Sequence, residues 1–182
     1  MITPGRHPRS SAAVTRAVTP ARSGSAVRRI IASVSAPVSR PASNTTAATG
    51  DIEFGSLWGH GQPMRRLIES GALRGDRFLQ VGLRGYWPPP ETLDWMAGQQ
   101  MRSFEMTEIG HRGLDPVLTE AFTIATDDCD GVFLSVDIDV CDPGHAPGTG
   151  TPEPGGLSAR QLLDAVRRIC LELPVVGRSA VR

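Results

Sequence analysis

Two aspartates spaced two apart, Asp137 and Asp139, stand where an apolar run, Val132-Phe133-Leu134, gives way to a Gly/Pro-rich stretch from Pro143 to Gly156. Such a run reads as a buried parallel-type strand, which puts both acids at its carboxyl end. Alternate side chains on a strand share a face, so Asp137 and Asp139 are expected to point the same way, with Val136, Ile138 and Val140 on the other side. Like charges held that close need a cation, and hard divalent ions such as Mn²⁺ prefer carboxylate oxygens. A metal site is the sharper reading; the plainer one is that both acids cap the loop that follows.

The neighbours narrow the chemistry. Asp142-Pro143 favours a turn, and Cys141 and Asp142 occupy places that a calcium-binding EF-hand loop fills otherwise, which excludes that class. His60 sits in a glycine-punctuated stretch, Trp58-Gly59-His60-Gly61-Gln62-Pro63. His111 and His145 are expected in loops, His7 lies near the amino terminus, and Glu153 reads equally as a functional acid or a loop-shaping one.

The elements that must position these residues alternate. A helix can begin at Pro63 and run through Met64, Leu67 and Ile68 to a stop at Gly71. Phe78 to Leu83 reads as a buried strand closed by Arg84-Gly85, and Pro90 can open a helix through Leu93, Trp95 and Met96. Arg102 to Thr107 is a plausible strand, Asp115 to Ala125 a helix, and Gly131 to Asp139 the strand that carries the acids. Ser158 with Gln161 three residues on forms a capping box for a helix striped by Leu162, Leu163, Val166, Ile169 and Cys170. Pro174 to Gly177 begins a last strand that is expected to dissolve at Arg178-Ser179-Ala180. This alternation predicts a parallel α/β sheet covered on both faces, with ligands bound beyond the carboxyl ends of its strands.

Composition splits the chain. Seven of its nineteen arginines fall in residues 1–50 with no acid beside them, whereas twelve face all nineteen acids in residues 51–182. The first segment, rich in Ser, Ala, Pro and Thr, is expected to be a disordered tail, and its short Val/Ile patch from Val27 to Val34 does not extend into a periodic pattern. It also fits a transit peptide. Its arginines lack interleaved aromatics, which argues against nucleic-acid binding. Three cysteines without C-x-x-C spacing indicate neither a disulfide framework nor a zinc knuckle, so a reducing compartment, the cytoplasm, is the simplest expectation, with the mitochondrion the alternative if the tail is a transit peptide. No apolar run approaches the length of a membrane-spanning helix, and no membrane partner is expected.

The stretch from Ser135 to Pro143, followed by Pro147-Gly148-Thr149-Gly150-Thr151-Pro152-Glu153-Pro154-Gly155-Gly156-Leu157, resembles the signature of the ureohydrolase family, which includes arginase, agmatinase and guanidinobutyrase. It is most similar to the agmatinase-like branch, and Trp58 to Pro63 and Phe78 to Gly85 resemble two further family segments. The resemblance covers about residues 51–177. It implies a three-layer α/β/α fold with a parallel sheet, and a pair of Mn²⁺ ions bridged by a hydroxide that attacks the guanidinium carbon of a small substrate, giving urea and an amine. Asp137 and Asp139 match two metal-binding aspartates, His60 matches the histidine that shuttles a proton near the leaving amine, and homo-oligomers are expected by analogy.

The departures carry equal weight. Where the family places an Asp-Ala-His-x-Asp stretch, after an earlier Gly-Asp-His segment, this chain reads Asn44-Thr45-Thr46-Ala47-Ala48-Thr49-Gly50. Four of six expected ligands are therefore missing, and beyond Gly177 the family's acidic segment is replaced by Arg178-Ser179-Ala180. The sequence predicts a partial ureohydrolase domain over 51–182, incomplete at both ends, as in a truncated or frameshifted gene. Two functions follow: hydrolysis of a guanidino compound such as agmatine or guanidinobutyrate, or an inactive remnant serving at most as a non-catalytic oligomer partner.

Overall fold

The computed structural model describes residues 29–34, 49–52, 57, 61–85 and 89–181. Its centre is a five-stranded, all-parallel sheet. In chain order the strands are β1 (Arg29–Val34), β2 (Phe78–Leu83), β3 (Arg102–Glu105), β4 (Gly131–Asp137) and β5 (Val175–Val181). Across the sheet they run β3-β2-β1-β4-β5.

That order corrects the expectation of a disordered tail for residues 29–34 alone. Arg29–Val34 forms the middle strand, paired with β2 on one side and β4 on the other, with Val34 opposite both Val81 and Val136. A strand flanked on both sides needs no polar alternation, so its six residues carry none of the period-two signal that marks half-buried strands. The other residues before 49, and with them the transit-peptide expectation, lie outside the described residues.

Consecutive residues of β2 show how the layers form. Phe78 packs with Ile68, Leu73, Met64, Leu67 and Trp95, which come from and around α1 (Pro63–Glu69) and α2 (Pro90–Gly98). Leu79 faces the opposite way, into a larger core with Val81, Phe104, Val132 and Leu134. That core is roofed by α3 (Met106–Arg112), α4 (Leu114–Thr126) and α5 (Ala159–Glu172). Helices on both faces of a parallel sheet give the three-layer α/β/α arrangement that the sequence predicts. The chain builds leftward from β1 to β3 with helices on one face, then crosses to β4 and β5 with helices on the other. The order therefore reverses between β1 and β4, the crevice where open α/β sheets bind ligands.

Local chemistry explains the element ends. Ser158 Oγ accepts the Gln161 amide at 3.2 Å and Gln161 Oε1 accepts the Ser158 amide at 2.9 Å, the reciprocal box that opens α5. Gly113, at φ +83°, separates α3 from α4. Three expectations change. β3 stops at Glu105 and turns at once into α3, so His111 lies in that helix and not in a loop. β4 stops at Asp137, and Ile138–Val140 form one 3₁₀ turn. β5 runs on through Arg178-Ser179-Ala180 to Val181, stitched to β4 by a 3.0 Å bond from Ser179 Oγ to Ser135 Oγ.

That last bond belongs to a row of register partners. Ser103, Gln80, Ser33, Ser135 and Ser179 occupy matching positions on all five strands. Ser103 Oγ donates to Gln80 Oε1 at 2.7 Å within it. Among the described residues no helix is long and apolar enough to cross a membrane.

Candidate carboxylate metal site

Asp137 is the last residue of β4, at the reversal point beside β1. Its Oδ1 accepts the backbone amide of Asp139 at 3.1 Å, and this bond caps the 3₁₀ turn. The two acids therefore do not share a strand face by simple alternation: Asp139 belongs to the turn, because the Asp137 side chain captures the amide that would otherwise continue the strand. The plainer reading of the pair, as a loop cap, describes one oxygen of Asp137.

Asp139 is nearly sealed, at 3% exposure. One oxygen, Oδ2, accepts the hydroxyl of Thr151, which reaches back from the signature loop. The other, Oδ1, is buried with no protein partner. Burial pushes the Asp137 carboxyl up to about 6, with the Asp139 charge adding to the rise and the Asp139 amide opposing it. Burial also raises Asp139, against the Thr151 hydroxyl and the Arg84 charge. An orphaned buried carboxylate oxygen beside a second strained acid is the environment a hard cation relieves.

The loop that supplies Thr151 is tied at its neck. The Asp142 amide donates to the Leu157 carbonyl at 2.9 Å and the Leu157 amide to the Val140 carbonyl at 2.9 Å. The Asp142 carboxylate accepts amides from both shoulders, Gly144 at 2.9 Å and Gly155 at 2.8 Å, which hold its pKa below the ordinary carboxylate range. Gly156 fits where no side chain can, since a Cβ there would lie 2.5 Å from the Val140 carbonyl and 2.6 Å from Arg84 Nη2.

Arg84, at the end of β2, closes the assembly from the other side. Its guanidinium donates to the carbonyls of Asp139 (3.0 Å), Val140 (3.2 Å), Cys141 (3.1 Å), Glu153 (2.5 and 3.0 Å) and Pro154 (3.1 Å). Burial pulls this guanidinium below its ordinary pKa, and the nearby charges of Glu153, Asp142 and Asp139 resist. The sequence marked Arg84 only as the end of a strand, and Thr151 only as part of a motif. No local pattern announces a cation whose acceptors are carbonyls 55 to 70 residues away.

The remaining candidates do not join the cluster as ligands. Glu153 lies against Gly85, with its Oε2 buried and unpartnered. His145 is exposed on the loop, and His111 is exposed on α3. His60 lies outside the described residues. Among the described residues there is no group of three or more His, Cys, Asp or Glu side chains that could hold a metal ion.

A model of the Arginase family matches residues 47–181. The chain belongs to the arginase family. It is 38% identical over 137 residues to a guanidinobutyrase of Pseudomonas aeruginosa, covering 74% of this chain and 41% of that protein. It is also 38% identical over 136 residues to a mitochondrial agmatinase of Gallus gallus, covering 73% of this chain and 38% of that one. The chain thus spans about two fifths of the length of these curated relatives. Among solved structures, a formimidoylglutamase of Bacillus subtilis superposes with a TM-score of 0.74 at 27% identity, over 85% of this chain and 45% of that one. A Trypanosoma cruzi formiminoglutamase solved with Mn²⁺ shares the fold at a TM-score of 0.71 and 19% identity, over 84% of this chain and 48% of its own. Family membership and the arginase-like α/β fold therefore stand as the motifs implied.

Proposed function

We propose that this arginase-family chain carries one side of an agmatinase-type ureohydrolase site, serving Mn²⁺-dependent hydrolysis of a guanidino compound, agmatine or 4-guanidinobutyrate, to urea and an amine. The observation that carries the reading is Asp139, a buried carboxylate whose Oδ1 has no protein partner, one turn beyond Asp137 at the sheet's reversal point. Asp137 and Asp139 are the residues that would hold the cation, through hard oxygen donors. Such an ion, when bound, polarises water and lowers its pKa toward neutrality. Thr151 keeps the Asp139 carboxylate oriented through Oδ2 and leaves Oδ1 available. His60 is assigned proton transfer near the leaving amine, a task suited to an imidazole that titrates near neutral pH.

A second reading, a non-catalytic member of the family, is favoured by a specific observation. The central strand β1 ends in Ser33-Val34, without an acid or histidine, and no third ligating side chain joins the aspartates among the described residues. Two carboxylates alone leave a hard cation largely hydrated. The expected result is therefore weak Mn²⁺ binding and little urea release from agmatine by this chain alone. Calorimetric titration with Mn²⁺ and a urea assay on agmatine and 4-guanidinobutyrate separate the readings: two equivalents of bound Mn²⁺ with steady urea production would remove the non-catalytic one. The partners proposed are a small guanidino substrate and further copies of the chain, with neither nucleic acid nor membrane, in the cytoplasm or, alternatively, the mitochondrion. Light scattering and cell fractionation check these assignments.

A further inference from the structure

We propose that Arg84 is a positioning residue for the carboxylate site: by gripping five carbonyls of two loop segments it sets where Asp139 and Thr151 stand relative to Asp137. The effect on metal affinity rests on the reading given above; the effect on geometry does not.

β2 and β4 do not pair, because β1 lies between them. Two interstrand spacings of about 4.8 Å separate their backbones, so nothing in the ladder fixes the end of β4 to the end of β2. Arg84 makes that connection over the end of β1. Its acceptors fall in two sets, the turn carbonyls of Asp139, Val140 and Cys141 and the loop carbonyls of Glu153 and Pro154. Asp139 and Thr151 each sit within three residues of one set, and they meet each other through the bond to Oδ2.

The choice of acceptors has a chemical consequence. Every one of these bonds ends on a carbonyl, so the cation sits beside Asp139 without occupying a carboxylate oxygen. Oδ1 stays unpartnered and available. An ammonium cannot replace this arrangement, since a planar fork of five N–H donors reaches several carbonyls at once, whereas Lys offers three donors from a single point.

The test uses the full chain with the substitutions Arg84→Lys and Arg84→Gln, and hydrogen exchange read residue by residue. Both variants should speed exchange of the Asp142 and Leu157 amides at least about tenfold, roughly one broken charge-assisted bond, while the amides of Val132 to Leu134 keep their rates. Mn²⁺ affinity, followed by the loss of free-ion EPR signal, should fall about tenfold in both. Exchange unchanged at Asp142 and Leu157, exchange raised equally throughout β4, or full rescue by lysine would each overturn the proposal. If the unsubstituted chain binds no Mn²⁺, the metal reading fails alone and the exchange pattern still decides the role of Arg84.

Discussion

β1 and β4 lie side by side in register, Ser33 against Ser135 and Val34 against Val136, yet they end in opposite ways. β4 delivers a carboxylate at its last position and another in the turn beyond, and both are fixed by named bonds. β1 ends in valine, and the sequence continues Ser35-Ala36-Pro37. The reversal point of this sheet is thus a one-sided site. Strain from the half-buried Asp137 and the buried Asp139 is concentrated at the end of β4, with no counterpart on its neighbour among the described residues.

Three measurements test that contrast. The largest effect concerns the strain itself. Burial holds the Asp137 carboxyl near 6, above its ordinary value of 3.8, so the native state retains a proton that the unfolded chain releases. Its contribution to stability is complete below pH 3.8 and is lost as pH rises through 6, about 3 kcal/mol in all for two units. Asp137→Asn removes that decline, and in chelator at pH 7 the variant should be more stable than the parent, as urea melts at pH 4 and pH 7 will register. Mn²⁺ should narrow or reverse the ranking by stabilising only the parent.

Next in size is Thr151→Val, which strips Asp139 of its one side-chain partner and leaves both oxygens of a buried carboxylate bare. A loss of about 1–3 kcal/mol is expected at neutral pH, shrinking as the pH falls, because burial raises the Asp139 carboxyl toward its neutral form. Smallest is Ser179→Ala, which deletes the Ser135–Ser179 bond one pleat away from the acids. It should cost about 1 kcal/mol, with no pH dependence and no change in Mn²⁺ affinity. A pH-dependent loss there would show that the strain spreads along β4 and is not confined to its end.

The elements with strong local signals were legible. Ser158 and Gln161 announce α5, and the Val132-Phe133-Leu134 run announces β4 with its acids at the correct end. The three-layer class followed from alternation. The β1 strand was not legible, because Arg-Ile-Ile-Ala-Ser-Val lacks period-two alternation and sits in arginine- and serine-rich surroundings that read as solvated chain. The turn at Ile138 was missed for a different reason. Its cause is a side chain, Asp137, which takes the Asp139 amide, and period-two reasoning treats an aspartate as a face and not as an acceptor. Arg84 and Thr151 act through contacts far along the chain, so no window of sequence contains both ends of their bonds.

The hydroxyl and amide row across the five strands bears on how a strand with so little sequence signal keeps its place. Shifting β1 by one residue would set Ala32 or Val34 opposite Gln80 and Ser135, exchanging a polar position of the row for an apolar one. Ser33 thereby marks the register in which the polar positions of all five strands coincide, two residues before the level of Asp137 on β4.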